Sequence, residues 1–482
     1  MSPAAAAESG TRRQQVGMSE FTVRGKRVAV VGGAASGVAA ARLLVERGAG
    51  VTLTDLRPAI DAAAELAAIG VSLALGSHPE GLLPGSDLVV VSPGVPFDQP
   101  AVAAARAAGV PVIGEVELAS RWLRGRVVAI TGTKGKSTTT ALTGRMLEAA
   151  GVRVLVGGNL GTPLASHVAL STAETVHVVE VSSFQLETTD TFHPWIAALL
   201  NLTADHLDRH ASVEEYAAAK ARIFARQTGR DISVANADDA RALAMAAAGR
   251  ARVVRFARDA HIDAGITVAD GWIVERGPAG DTRLVQASAV RLVGPHLLAD
   301  VLAAAAIARA VGAGCDAVAE ASASFAGLEH AMELVDEIRG VRFVNDSKAT
   351  NIDAARQAIE TFGRGLVVIM GGRFKGGDLR LLRRALASRG ASVVAIGESA
   401  PLMQEAFVGA AEVTLAASMA EAVRTAMAAA SAGGSVLLAP ACASFDMFED
   451  YAARGRAFKA EVAALRRQVT GGEGARTGER EP

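Results

Sequence analysis

The stretch Val127-Val-Ala-Ile-Thr-Gly-Thr-Lys-Gly-Lys-Ser-Thr-Thr-Thr140 carries the plainest chemistry in the chain. An apolar run leads into a glycine-rich turn, and the turn leads into a helical sequence beginning near Lys136. Glycines let backbone N–H groups converge on phosphate oxygens, and a helix N-terminus adds partial positive charge. Lys136 is placed to reach the β- and γ-phosphates of a nucleotide, and the Ser137 hydroxyl to ligate Mg²⁺. The spacing Gly132-x-x-Gly135-Lys136-Ser137 is tighter than the common phosphate-loop pattern. An ordinary glycine turn with surface lysines does not account for strand, glycines, Lys-Ser and helix falling in that order. Gly132, Thr133, Lys134, Gly135, Lys136, Ser137 and Thr138 are therefore read as the phosphate-binding set.

Three further groups have chemistry to offer. Glu180 closes the apolar run 176–181, and a carboxylate at the C-terminal end of a parallel strand faces the crevice where α/β ligands bind. It suits a Mg²⁺ ligand beside the nucleotide. Asp205-His206 follows another apolar run; alone, such a pair is more often a helix cap and a surface histidine. Lys220 lies in the helical stretch 216–224 and alone reads as a solvated lysine. Nearer the start, Val28-Ala-Val-Val-Gly-Gly-Ala-Ala-Ser-Gly37 also joins a strand to a helix, and Asp55 ends the next strand about 20 residues on, as in a dinucleotide fold. Ala34 stands where the middle glycine of that pattern belongs. This weakens the case for NAD and leaves a βαβ nucleotide site in competition with a purely structural turn.

The elements that must position these groups are legible as alternation. Short β-branched runs at 27–31, 51–54, 88–91, 127–130, 176–181, 366–370, 392–396 and 435–438 are separated by Ala/Leu/Arg segments of helical period. Strands spaced by helix-length segments imply parallel sheets with helices on both faces. The 482 residues exceed one ordinary core. Linkers are expected at 121–125 and near 327–328, dividing the chain into α/β domains at 21–124, 125–328 and 329–470, with disordered tails at 1–20 and 471–482. A formal net charge of −1 without a basic block argues against a nucleic-acid or anionic-membrane binder. The two cysteines, Cys315 and Cys442, lie far apart and suit a reducing compartment. No segment reads as a signal peptide or spanning helix, so a cytoplasmic protein is expected.

Six motifs occurring in order resemble the Mur ligases of peptidoglycan synthesis, over roughly residues 25 to 465. They are the phosphate loop, Val178-Val-Glu-Val-Ser-Ser-Phe-Gln-Leu-Glu187, residues 201–206, residues 216–224, Asn345-Asp-Ser-Lys-Ala-Thr-Asn351 and Ala439-Pro-Ala-Cys-Ala-Ser-Phe-Asp446. The resemblance implies three domains: a Rossmann-like N-terminal domain holding a UDP substrate, a central P-loop ATPase-type domain, and a Rossmann-like C-terminal domain carrying the incoming amino acid. It implies an ATP-dependent ligase, working as a monomer, that adds D-glutamate to UDP-N-acetylmuramoyl-L-alanine through an acyl phosphate.

The resemblance also assigns roles. Ser36, Asp55, Arg57, Ser92 and Gly94 would face the UDP end, and Asn159 the muramoyl-alanine portion. Ser137, Glu180, His206 and Lys220 would hold two Mg²⁺, with Lys220 carbamylated by CO₂; His206 as a general base is the second reading. Lys136, Glu180, His206 and Lys220 form the catalytic set. Asp300, Asp346 and Lys348 would contact ATP. Thr350, Lys375, Ser444 and Tyr451 would surround the glutamate carboxylates. Two places depart from the family pattern. Leu297 and Asp300 stand where two asparagines are usual, and Ala331 stands where an arginine touches phosphate. Lost charge there weakens phosphate binding unless other groups compensate. The competing readings are a Mur-type ligase for L-glutamate or another amino acid, and a degenerate, non-catalytic nucleotide-binding relative. A folylpolyglutamate synthase fits poorly, because a full βαβ domain precedes the phosphate loop, and a motor ATPase fits less well still.

Overall fold

The computed structural model describes residues 21–159, 161–203, 209–292 and 295–476. Three sheets organise them. The first has strands β1 (Arg27–Val31), β2 (Gly50–Asp55), β3 (Ser72–Leu75), β4 (Leu88–Val91) and β5 (Val112–Gly114), in the order β3-β2-β1-β4-β5, all parallel. The second has β6 (Arg126–Thr131), β7 (Val154–Gly158), β8 (Val176–Glu180), β9 (Ile196–Leu199), β10 (Ile232–Asn236), β11 (Arg252–Phe256), β12 (Gly265–Ala269), β13 (Trp272–Gly277) and β14 (Gly280–Gln286). Its order is β14-β13-β12-β11-β10-β9-β6-β8-β7. The third has β15 (Glu333–Ile338), β16 (Val341–Asn345), β17 (Leu366–Gly371), β18 (Ser392–Ile396), β19 (Val413–Leu415) and β20 (Ser435–Leu438), in the order β15-β16-β20-β17-β18-β19.

Parallel strands covered on both faces must be apolar throughout. Every residue of β4, β8, β9, β17 and β20 is buried. The covering helices are rich in alanine, which has high helix propensity and permits close approach. In the helix Pro295–Val311, Ala303, Ala304, Ala305, Ala306 and Ala308 are all buried, and the helix packs on Lys136–Ala149 and on β9 to β12. A helix apolar on every side belongs inside.

The expected parallel sheets are present, and antiparallel pairing is added to them at two places. Strands β12, β13 and β14 pair antiparallel, as do β15 and β16. The cause is local turn chemistry. Asp270-Gly271 links Ala269 to its partner Trp272, with φ of 49° and 76°. Arg339-Gly340 links Ile338 to Val341 in the same way, with φ of 50° and 75°. Positive φ at both central positions is the two-residue hairpin turn that matches strand twist. The last helix, Tyr451–Arg476, continues into the stretch expected to be a tail. Once nucleated, a helix gains one backbone bond for each residue added, which offsets the glycines at 471 and 472.

By contacts the chain forms two compact units. One consists of residues 21–124 together with 163–171 and 187–192; the other holds the second and third sheets. Two buried glutamates tie the added segments into the first unit. Glu117 accepts N–H bonds from Asp190 (2.9 Å), Thr191 (3.0 Å) and Phe192 (3.0 Å), and a bond from Arg121 Nε at 2.8 Å. Burial opposes its charge, but these donors outweigh it and hold the carboxyl below its ordinary range. Glu115 has less help. Ala165 N–H donates to one oxygen, while the other is buried without a partner. Burial pushes Glu115 up to about 7.

This gives the first prediction. A carboxyl with an ordinary value of 4.5 and a folded value of about 7 costs stability as pH rises between the two, and the cost is complete above the folded value. Glu115→Gln is expected to stabilise the protein by up to about 3 kcal/mol at pH 8 and by almost nothing at pH 4. Denaturant unfolding at both pH values reads this directly. Parallel curves for the two proteins would show that Glu115 does not titrate in that window.

Candidate active site

Strand β6 sits where the order of the second sheet reverses, between β9 on one side and β8 on the other. Its connection leaves the carboxyl end of the sheet at the topological switch point, the place where open α/β sheets bind ligands. The glycine-rich loop therefore emerges between two other strand ends. Gly135 adopts φ +80° as it enters the helix Lys136–Ala149. Only glycine takes that conformation without strain, and a side chain there would also collide with the Asp300 carboxyl.

The loop is held from several directions. Asn201, just past β9, accepts from Lys134 N–H at 2.9 Å and donates from Nδ2 to the Lys134 carbonyl at 3.1 Å. Thr133 N–H donates to the Asn201 carbonyl, and the Thr133 hydroxyl accepts from Thr203 N–H and from Tyr216 Oη. Lys136 Nζ donates to the carbonyls of Gly132 (3.0 Å) and Thr133 (2.9 Å). Lys220, read alone as a solvated lysine, is buried. Its Nζ donates to the Gly132 carbonyl at 2.8 Å and to Thr131 Oγ1 at 3.3 Å, and lies 4.6 Å from the centre of the Tyr216 ring. Glu180 ends β8 beside Ile130, is buried, and accepts from Asn159 Nδ2 at 2.8 Å. Its second oxygen is buried with no partner.

Two cavities of about 630 Å³ and 370 Å³ open onto this loop and share Lys134, Gly135, Thr138 and Asp346 in their linings. Ser137, Ala331 and Lys348 line the smaller one. Asn236, Phe256 and Arg258, at and just beyond the ends of β10 and β11, line the larger one together with Leu297 and Asp300. Both aspartates are buried. Burial pushes Asp300 up to about 8, with Lys136 opposing, and Asp346 up to about 7, with the Met332 N–H and Lys348 opposing.

The third sheet gathers its polar residues at its own carboxyl ends. Lys375 Nζ meets Thr350 Oγ1 at 3.4 Å. Ser444 is buried, and Tyr451 is partly exposed with its carbonyl accepting from Ser347 Oγ at 2.7 Å. In the first unit, Ser92 Oγ donates to the Gly32 carbonyl at 2.9 Å, beside the turn that precedes Ser36. Asp55 accepts from Gly33 N–H at 2.7 Å and binds Arg57 through both oxygens, which holds its carboxyl far below the usual range. Gly94 lies exposed in the turn after β4.

His206 lies outside the described residues. Of the expected metal ligands, Ser137, Glu180 and Lys220 are among the described residues; no group of three or more His, Cys, Asp or Glu side chains that could hold a metal is found among the described residues. Sequence reasoning gave no part to Tyr216, to the Asn201 side chain as a clamp, or to Asn236, Phe256 and Arg258. The available signal was position, since each of the last three stands at or just past the end of an apolar run.

A phosphate loop at a switch point, facing cavities shared with a further α/β sheet, defines a nucleotide-using α/β enzyme. Family models sharpen this. The Mur ligase MurD-like N-terminal domain matches residues 26–114, the Mur ligase middle domain 130–308, and the Mur ligase glutamate ligase domain 331–442. The UDP-N-acetylmuramoylalanine–D-glutamate ligase of Acidobacterium capsulatum is 46% identical over 449 residues, covering 92% of this chain and 97% of that one. The protein of the same name from Koribacter versatilis is 42% identical and covers 92% and 99%. Among solved structures, the UDP-N-acetylmuramate-alanine ligase of Thermotoga maritima matches with a TM-score of 0.55 at 19% identity, over 91% of this chain and all of that one, a likeness of fold. The chain belongs to the Mur ligase family, and it is an ATP-dependent ligase.

The clamp predicts a specific loss. Asn201→Ala removes two side-chain bonds to the loop, each worth about 1 kcal/mol. Nucleotide affinity is expected to fall about tenfold, with the thermal midpoint almost unmoved. Titration calorimetry with a non-hydrolysable ATP analogue tests it; equal affinities would remove Asn201 from loop positioning.

Proposed function

We propose that this protein joins D-glutamate to UDP-N-acetylmuramoyl-L-alanine with consumption of ATP, as a cytoplasmic monomer in peptidoglycan precursor synthesis. The observation that carries the reading is the phosphate loop framed by buried Glu180 on the neighbouring strand and buried Lys220 behind it. Likeness to ligases of that name over nearly the whole chain supports the substrates. Among the described residues no helix is long and apolar enough to cross a membrane. Residues 21–124 take the UDP substrate in this reading, 125–328 the ATP and 329–470 the amino acid.

The chemistry follows from the electrophile. A carboxylate accepts nucleophiles poorly. Transfer of the γ-phosphoryl group to the alanyl carboxylate gives an acyl phosphate, the glutamate amine attacks its carbon, and phosphate leaves. Loop N–H groups and Lys136 stabilise charge on the transferring phosphoryl. Lys136 rests on loop carbonyls, so its ammonium is already at the loop. Asp346 and Lys348 approach ATP from the third sheet. Ser36, Asp55, Arg57, Ser92 and Gly94 bind the UDP end, Asn159 the muramoyl-alanine, and Thr350, Lys375, Ser444 and Tyr451 the amino acid.

The donor set fits Mg²⁺. Glu180 keeps one buried oxygen without a partner, and Ser137 opens the loop helix. These two, with His206 and a carbamate on Lys220, would hold the ion, which would supply charge neutralisation on the phosphates. To form that carbamate the Lys220 amine would add to CO₂ in its neutral form, with loss of a proton.

Phosphate release from ATP is measured with UDP-N-acetylmuramoyl-L-alanine plus D-glutamate, L-glutamate or neither, with Mg²⁺ and bicarbonate present. Release with D-glutamate alone is expected. Release with L-glutamate alone redirects the amino-acid assignment, and none with either from folded protein favours the non-catalytic relative.

Asp300 adds a pH prediction. Its carboxyl packs on Gly135 and is neutral below about 8. Ionisation above that value places negative charge against the phosphates. KM for ATP is therefore expected to rise between pH 7 and pH 9. Asp300→Asn should flatten the rise, lowering KM about tenfold at pH 9 and little at pH 6.5. Identical KM profiles for the two proteins would show that Asp300 is not sensed by ATP.

A further inference from the structure

The largest fully buried side chain among the described residues is Arg454, on the helix Tyr451–Arg476 and 1% exposed. Buried guanidinium groups are ordinarily paired with carboxylates. This one is not. Nε donates to Ser347 Oγ at 3.0 Å, Nη2 to the Ser347 carbonyl at 2.9 Å, and Nη1 to the carbonyls of Cys442 at 3.1 Å and Gly371 at 3.4 Å. All four acceptors are neutral. Asp446 is the carboxylate whose charge it feels, at a distance and without a bond. One Asp446 oxygen accepts from Glu398 N–H, and the other is buried without a partner. Desolvation lowers Arg454 to about 10, so it is still a cation at neutral pH.

The acceptors belong to three separate strand-end loops. Ser347 precedes Lys348 and Thr350 after β16. Gly371 ends β17 and opens the loop that carries Lys375. Cys442 stands two residues before Ser444 after β20. The planar fork of a guanidinium can hold three such backbones in one register, which the point charge of a lysine cannot do. Gly372 is part of the same fit, since a side chain there would crowd both the Ala443 carbonyl and Arg454 Nη1.

We propose that Arg454 is the positioning residue of the amino-acid pocket, fixing the loops of Thr350, Lys375 and Ser444 and supplying a buried positive charge that the carboxylates of an acidic amino acid complete. This rests on reading the third domain as the amino-acid domain. The pocket thereby selects a dicarboxylate by field as well as by contact. The free protein holds the charge ready, so little reorganisation is needed when the amino acid binds.

The test compares Arg454→Gln and Arg454→Lys in the full-length protein, by phosphate release with each substrate varied in turn. Unmodified protein is assayed first: if it shows no D-glutamate-dependent release, the underlying reading has failed and the variants are not interpreted. If it is active, Arg454→Gln is expected to raise KM for D-glutamate about tenfold or more, with KM for ATP within about twofold. Arg454→Lys, which keeps the charge and loses the fork, should recover part of that rise. Thermal unfolding checks that each variant folds, and if the glutamine variant does not, the lysine variant decides through the same split between KM values. A fall in kcat with KM for D-glutamate unchanged, or equal rises in KM for ATP and D-glutamate, would overturn the proposal in favour of a purely structural staple.

Discussion

Lys220 is fully desolvated, and the phosphate loop is arranged around that fact. A buried ammonium must find acceptors or lose its charge. Its acceptors are the Gly132 carbonyl and the Thr131 hydroxyl, and the face of Tyr216 covers it. Those same atoms begin the loop. The Tyr216 hydroxyl in turn reaches Thr133, so a helix from elsewhere in the chain, Val213–Ala221, fixes the loop at two successive residues. Asn201 and Lys136 complete the hold. A glycine-rich loop left to itself loses much conformational entropy on ordering. Here that cost is met when the protein folds, before any nucleotide arrives.

The three sheets repeat one solution. Parallel strands need crossovers, so polar groups from distant segments collect at the carboxyl ends and the apolar bodies stay buried. In the first sheet the ends of β1, β2 and β4 bring Gly32, Asp55 and Ser92 together. In the second, β6, β8 and β9 bring the loop, Glu180 and Asn201 to adjoining positions. In the third, β16, β17 and β20 bring Ser347, Gly371 and Cys442 around one guanidinium. Chemistry can change at these ends without disturbing the apolar strands beneath.

How much of this was legible follows from the range of each interaction. The phosphate loop was readable because strand, glycines, lysine and helix are contiguous. Glu180 was readable because a carboxylate closing an apolar run has few structural uses. Lys220 was not readable from its own neighbours, since its burial is decided by Gly132 and Thr131, far away in sequence. Arg454 sits in an Ala/Arg-rich helix that reads as solvated, and its partners lie on three other loops. The hairpins β12–β13 and β15–β16 carried a local signal in Asp270-Gly271 and Arg339-Gly340. The alternation of helices elsewhere outweighed it.

The binding regions also share an unbalanced electrostatic state. Glu180 keeps a buried oxygen without a donor, and Arg454 is a buried cation without a bonded anion. Asp300 and Asp346 are buried beside the phosphate loop, where ionisation is disfavoured. In a purely structural setting each of these would be a defect costing on the order of 1–3 kcal/mol. Glu180 and Asp346 stand at or just past strand ends, and Asp300 and Arg454 reach the loops there from helices. Groups left unsatisfied in the free protein can be satisfied by a ligand, which then gains energy that a complete network would already have spent. An acidic amino acid suits the field of Arg454, a cation suits Glu180, and a polyphosphate suits the loop better while Asp300 stays protonated. Selectivity on this view lies less in the contacts already formed than in which charges the fold leaves open.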